Sequence, residues 1–477
     1  MIPLLKAAAM READARAVEA RGADALVLAA GTAVALEAQR MLGACYGARI
    51  TVIAGPGLNG ADGRVAAHWL TSRGARVTII EVDHQPDTLA PCDLYIDAAF
   101  GLGCSRPYRA PVVSPGTLVL AVDIPSGVDA DSGRVLGSPP RANVTMALGA
   151  LKYAHVTGAA AAFCGELRFA SLGIVPDADN GLVEDADLEV LVVRRRDDHK
   201  WMHAVSVFAG SPPMPGAAEL VARGALAGGA SMIRLATRGG GADVTDLPPE
   251  VVRSPDKFVD PRSKVVVAGP GLGSEAATWL AKRLADVHVP VVLDADGLDK
   301  NLLTSISVRD RRWVLTPHDG EFARLTNDAD LTDRVEAVRT FARDSDCVVL
   351  LKGPTTIVAS PDGRVRIITS GTPTLATAGT GDVLAGLIGA TIARGHDEFS
   401  AAALAAHLHG RAGARLPVYA SASALPGAIS DILQEITGHT NYVGDGGDHG
   451  RFAARNRRPR GPGPRATGPD DDGRSLR

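Results

Sequence analysis

Short β-branched runs that end in glycine-rich or carboxylate-bearing turns recur along this chain, with helix-patterned stretches between some of them. That alternation leaves few folds open. In the first half the runs are Arg49–Ala54, Ala75–Val82, Asp93–Ala98 and Thr117–Ile124, with a helical stretch at Gly63–Ser72. Residues 5–42 mix alanines, leucines and charges at helical spacing. Strands separated by helices read as a parallel sheet covered on both faces. A polar stretch from Asp177 to Lys200, densest in charge at Arg194–Asp198, reads as a linker. Beyond it the pattern restarts with Val205–Ala209, Met232–Ala236, Lys264–Ala268, Val289–Leu293, Arg312–Leu315 and Cys347–Leu351, separated by helices such as Gly216–Gly228 and Ala276–Asp286. The expectation is α/β throughout: one doubly wound domain over residues 1–190, a second α/β domain over 198–436, and a tail over 437–477. Gly, Pro, Arg and Asp dominate that tail, which has almost nothing apolar to bury and reads as disordered.

Composition narrows the function classes. With 477 residues, 46% of them hydrophobic, the chain is long enough for several buried cores, and with only 4% aromatics those cores are built mostly from Ala, Val and Leu. Fifty basic residues against 54 acidic ones give a net charge of −4, so no global field favours nucleic acid or a membrane surface. The five cysteines (Cys45, Cys92, Cys104, Cys164, Cys347) are scattered, without the spacing of a disulfide framework or a zinc site. The N-terminus MIPLLKAAAM runs straight into charge, unlike a secretory signal, and no uncharged apolar run reaches the roughly 18 residues of a spanning helix. A cytoplasmic protein without nucleic-acid or membrane partners is expected; a homo-oligomer is compatible with these features.

Three strand ends in the first half carry oxygen ligands. Ile53–Gly63 (IAGPGLNGADG) follows a strand and opens a helix, so its glycines form either a tight structural turn or a loop that cradles phosphate at a helix N-terminus. Asn59 and Asp62 add ligands for a cation or a ribose. Asp97 ends the next strand ahead of a second glycine loop, Gly101–Leu102–Gly103–Cys104–Ser105–Arg106–Pro107, and Asp123 stands where AVDIPSGVD turns. Each aspartate alone could be a cap; together they point to one crevice at the carboxyl ends of neighbouring strands.

GPGLNGADG, IDAAFGLG, AVDIPSGVDADSG and Ala147–Lys152 (ALGALK) occur in the order seen in NAD(P)HX epimerases, which interconvert the R and S epimers of hydrated NADH and NADPH. Residues 5–176 resemble that family. The resemblance implies a Rossmann-like fold, a K+ ion held by Asn59, Asp97 and Ser126, and substrate along Gly57, Leu58, Asn59, Gly60, Ala61, Asp62 and along Gly101, Leu102, Gly103, Cys104, Ser105, Arg106 and Pro107. It makes Asp123 the acid/base residue facing the nicotinamide ring. Leu58 and Ala61 depart from the family's Asn and Gly, and Tyr153–Ala154 from its Pro-Gly before His155.

In the second half, VVVAGPGLG (265–273) repeats the strand-to-glycine theme, LDADGL (293–298) ends a strand with two carboxylates, and LTPHDGEF (315–322) puts His318 between a strand and a helix. His318 reads as structural or as a ligand contact. ATAGTGDVLAG (376–386) bares backbone N–H groups at a helix start, a hole for anionic oxygens. Asp382 there is either a cap or a base that takes a proton from an attacking hydroxyl. No Walker A sequence is present. With GSPPMPGAA and LKGPTT, these motifs over 198–435 resemble ADP-dependent NAD(P)HX dehydratases of ribokinase-like fold. The resemblance implies hydrate near Ala217, Gly271, His318 and Asp382, and adenine nucleotide at Lys352, Gly353, Pro354, Thr355, Thr356 and Gly381. It also implies ADP as co-substrate with Mg2+, giving AMP and phosphate. Asp319, Ala378 and Met214 depart from the family pattern. The fused chain is expected to repair NADHX and NADPHX; the alternatives are a ribokinase-type small-molecule kinase with a regulatory domain, or a non-catalytic nucleotide sensor.

Overall fold

A computed structural model describes residues 1–176, 179–192, 197–239, 247–254, 259–306, 312–327 and 330–439. The tail expected to be disordered lies outside them, apart from its first residues, which end the Leu425–His439 helix.

The first half builds a six-stranded sheet, all parallel, with the spatial order Glu166–Ala170, Val144–Leu148, Leu118–Val122, Leu94–Ala98, Arg49–Ala54, Arg76–Glu81. The order in which the chain adds strands reverses between Arg49–Ala54 and Leu94–Ala98, while every strand stays parallel. That switch point opens a crevice beyond the strands' carboxyl ends, and the loops after those two strands are the two glycine loops. The Leu58–Ser72 helix starts five residues earlier than the apolar pattern indicated. Its first turn tolerates glycine because backbone crowds it: a Cβ on Gly60 would lie 1.9 Å from the Gly55 carbonyl oxygen, and one on Gly55 would lie 1.8 Å from that of Ala99.

In the second half Val251–Arg253, Met232–Ala236, Ala204–Phe208, Val265–Ala268, Val291–Leu293, Trp313–Leu315 and Val348–Leu351 run parallel in that spatial order. Thr356–Ala359 and Val365–Ile368 continue it antiparallel. The switch point falls between Ala204–Phe208 and Val265–Ala268. Helices Pro215–Ala227 and Thr380–Ala393 cross with almost no side chain between them. A Cβ on Gly386 would meet the Val221 carbonyl oxygen at 2.0 Å, and one on Gly224 would meet that of Val383 at 2.2 Å. Small residues thus do here what bulky ones do in most cores.

The stretch read as a linker is partly built into the sheet. Gly181–Leu182 pairs with Arg366–Ile367 on one side and Ile2–Pro3 on the other, and Leu4–Leu5 then pairs with Leu151–Lys152. Leu188 and Leu191 are buried in the second half's core. The charge of this stretch does not prevent this, because Leu182, Leu188 and Leu191 find apolar surface; the Arg194–Arg196 run lies outside the described residues. The two halves form one compact unit over Met1–His439. Ala23–Leu42 is long and apolar enough to cross a membrane by composition alone, but Leu26, Ala30, Val34, Ala35 and Ala38 are buried in this fold.

Candidate functional site

A cavity of about 520 Å³ opens at the first switch point. Both glycine loops, Asp123, Leu148 and Lys152 line it, and Met10, Arg11, Asp14, Val18 and Leu26 of the two N-terminal helices close its side. Asp123 follows the Leu118–Val122 strand with φ of 64°, a left-handed conformation that a non-glycine residue needs help to hold. His155 supplies that help. Its Nδ1 accepts from the Lys152 backbone N–H at 3.0 Å, so its Nε2 carries the proton and donates to the Asp123 carbonyl at 2.6 Å. Burial, with the charge of Lys152, pushes His155 down to about 4, consistent with a neutral ring. The Asp123 carboxylate accepts from the Leu148 N–H at 3.1 Å and from Lys152 Nζ at 2.5 Å, and Lys152 is fully buried.

Asp97 and Ser126 lie behind this wall, both wholly buried. Ser126 donates to Asp97 through its N–H at 2.8 Å and its hydroxyl at 2.7 Å. Burial raises Asp97 to about 6 against those hydrogen bonds. Asn59 Nδ2 is buried without a hydrogen-bond partner, and its side chain packs where a Cβ on Gly101 would intrude. A buried carboxylate, a hydroxyl and a side-chain amide make an oxygen donor set of the kind a monovalent cation accepts.

Of the residues expected to hold substrate here, Gly57, Leu58, Asn59, Asp62, Gly101, Leu102, Gly103 and Asp123 line the cavity. Gly60 is held against Gly55 backbone, Ala61 sits inside the helix, and Cys104 is buried with its thiol towards the Arg106 carbonyl. Ser105, Arg106 and Pro107 are exposed and do not line it.

The second cavity, about 920 Å³, is lined by His318, Asp319, Lys352, Gly353, Pro354, Thr356, the 371–378 loop, Thr380, Gly381 and His409. Lys352 Nζ reaches Asp294 at 2.7 Å and Glu321 at 3.7 Å. Burial favours its neutral amine, yet Asp294 and Glu321 hold Lys352 above its ordinary value. Asp382, in the first turn of Thr380–Ala393, is raised to about 7 by burial and then by Asp294, while Lys352 pulls it back. Gly379, with φ of 90°, caps that helix, and a Cβ on Gly381 would come within 3.5 Å of both Lys352 Nζ and Asp294 Oδ2. His409 Nε2 bonds the Thr380 carbonyl at 3.0 Å beneath the loop.

His318 caps a helix and also lines the cavity. Its Nδ1 accepts from the Gly320 and Glu321 N–H groups while Glu321 accepts from its own N–H, a reciprocal helix cap, and the ring still faces the cavity. The extra charge of Asp319 is met by Arg334 at 2.7 Å. Thr355 does not line the cavity; its hydroxyl donates to the Val156 carbonyl of the first half at 2.8 Å. Ala217 and Gly271 pack on each other at the second switch point, outside this cavity's lining. Asp14 and His409, isolated within helices, carry no motif that marks them as site residues, and His155 drew notice only as the residue after the Tyr153–Ala154 departure.

Two α/β sheets, each with a glycine-loop cavity at its carboxyl edge, define a two-cavity α/β protein. Residues 205–435 match the NAD(P)H-hydrate dehydratase family, and residues 23–90 and 80–154 match the YjeF-related protein N-terminus family. The bifunctional NAD(P)H-hydrate repair enzyme Nnr of Synechocystis sp. is 34% identical over 426 residues, covering 76% of this chain and 81% of the relative. That of Mycobacterium tuberculosis is 35% identical over 436 residues, covering 83% and 90%. A Bacillus subtilis ADP/ATP-dependent NAD(P)H-hydrate dehydratase, crystallised with ATP and Mg2+, is 27% identical with a TM-score of 0.47, covering 54% of this chain and 97% of that one. The chain belongs to the family of bifunctional NAD(P)H-hydrate repair enzymes.

Proposed function

We propose that this chain repairs hydrated NADH and NADPH in the cytoplasm, epimerising the R and S hydrates in the first cavity and dehydrating the S hydrate in the second. The observation that carries the reading is that a lysine stands by an aspartate at each site: buried Lys152 donates to Asp123 in the first cavity, and Lys352, which lines the second, acts on Asp382 next to the cavity-lining Gly381. In the first cavity Asp123 is the acid/base residue facing the nicotinamide ring, moving the proton of the C6 hydroxyl or of the water that replaces it. The loops at Gly57–Asn59 and Gly101–Gly103 hold the dinucleotide's phosphates and sugars. Asn59, Asp97 and Ser126 would hold K+; bound there, it would offset the buried Asp97 charge and fix both loops for the substrate.

In the second cavity ADP lies along Lys352, Gly353, Pro354 and Thr356, its phosphates at the N–H groups of Gly379–Gly381. His318 borders the hydrate, which would extend from the cavity towards Ala217 and Gly271 at the second switch point. Asp382 takes the proton from the hydrate's hydroxyl as that oxygen attacks the terminal phosphorus; AMP leaves, the ring nitrogen's lone pair expels phosphate from C6, and loss of a ring proton restores NAD(P)H. Among the described residues no three His, Cys, Asp or Glu side chains gather as a preformed metal site. The residues therefore suit Mg2+ carried in on the nucleotide's phosphates, where it would neutralise charge on them.

The test uses pure S hydrate with ADP. Stoichiometric AMP and phosphate, with kcat rising as pH passes upward through about 7, are expected because Asp382 must be ionised to act. Asp382→Asn should lose roughly a hundredfold or more in kcat. A stable phosphorylated product would favour a small-molecule kinase instead.

A further inference from the structure

Inverting a carbon that bears a hydroxyl and a ring nitrogen requires two proton events, one as the hydroxyl leaves and one as water returns to the other face. Asp123 accepts from Lys152 Nζ and from the Leu148 N–H, which fits it to receive a proton rather than to give one. A donor must come from elsewhere in the cavity. The charged and titratable groups facing it are Arg11 and Asp14 from the first helix, Asp62 from the Leu58–Ser72 helix, and Asp123 with Lys152. Asp62 lines the same cavity, is 6% exposed, and its carboxyl receives no hydrogen bond from any described residue.

We infer that Asp62 is a second catalytic residue of the epimerase, the general acid that works opposite Asp123. The inference rests on the epimerase reading above. The Asp62 carboxyl gives its proton to the C6 hydroxyl, the C6–O bond breaks with its electron pair leaving as water, and the ring-nitrogen lone pair closes a C6=N bond. Water then adds to the opposite face of C6, its proton passes to the Asp123 carboxylate, and the C=N pair returns to nitrogen. Nothing is oxidised or reduced, and exchange with solvent resets both carboxyl groups. Burial, then the charges of Asp123 and Asp14, raise Asp62 to about 8, so it holds its proton at neutral pH. Asp14, raised in the same direction by burial, is drawn back by Lys152.

The experiment follows conversion of pure R hydrate to S by chromatography, across pH, with spontaneous conversion subtracted. Wild type should lose rate as pH rises through about 8. Asp62→Asn should lower kcat roughly a hundredfold or more with KM little changed, and abolish that fall. Asp62→Glu, which keeps the acid, should recover part of the rate with a displaced limb. An Asp62→Asn enzyme with wild-type kcat, or one that keeps the basic limb, overturns the inference. Should Asp62→Asn not fold, an unmoved limb in Asp62→Glu overturns it. A wild type that converts no R hydrate overturns the epimerase reading itself and the inference with it, a result distinct from an active wild type unaffected by Asp62→Asn.

Discussion

His155 shows how much a site can owe to a residue that touches no ligand. It joins the Lys152 N–H to the Asp123 carbonyl across a buried turn and so holds the one positive-φ aspartate among the described residues that lines a cavity. Removing the ring strands both backbone groups without partners, at about 1–3 kcal/mol for each. His155→Ala is therefore expected to lower the melting temperature clearly and to reduce R-to-S conversion, while His155→Asn, which keeps a donor, recovers part of both. An unchanged melting temperature and rate in His155→Ala would contradict this role. Asp123 and Asp382 stood out in the sequence as candidates because one follows an apolar strand and the other a glycine-flanked helix start. The lysine partner of Asp123 lies 29 residues away and that of Asp294 lies 58 away, and such pairings exist only once the sheet brings strand ends together.

Among the elements, the apolar β-branched strands were the easiest to read: Arg49–Ala54 and Met232–Ala236 match the expected bounds, and Val265–Ala268 and Val348–Leu351 fall within one residue. Glu166–Ala170 was not anticipated, since its charges at Glu166 and Arg168 interrupt any apolar run. The early start of the Leu58–Ser72 helix was hidden for another reason: its glycines look like a turn until Gly55 and Gly60 are seen against backbone. The same constraint makes a prediction at the helix crossing. Gly386→Ala would set a methyl 2.0 Å from the Val221 carbonyl, which the close packing with Pro215–Ala227 cannot absorb without moving a helix. Overpacking of this kind costs about 1–3 kcal/mol. The denaturation midpoint should fall accordingly, with Asp382 displaced and dehydration slowed; an unshifted midpoint would show that the crossing has slack.

At the scale of the whole molecule, the restart of the strand pattern after residue 200 signalled two α/β halves, but not how they meet. Pairings only two residues long carry no periodicity, so Ile2–Leu5, Leu151–Lys152 and Gly181–Leu182 could not be seen extending the second sheet beyond Val365–Ile368. Arg339 donates to the Tyr153 hydroxyl across the same junction, and Thr355 to the Val156 carbonyl, so the segment that steadies Asp123 also abuts the Lys352–Thr356 loop. Two sites for one damaged cofactor in one compact unit form the centre of this account. The most direct test gives an equal mixture of R and S hydrated NADH to the intact chain with ADP and follows the return of the reduced nicotinamide's near-ultraviolet absorbance. Wild type should recover completely, Asp123→Ala should rapidly recover the S share alone, and Asp382→Ala should show no enzymatic recovery. Recovery limited to the S share in wild type, or full rapid recovery in Asp123→Ala, would contradict the two-site reading.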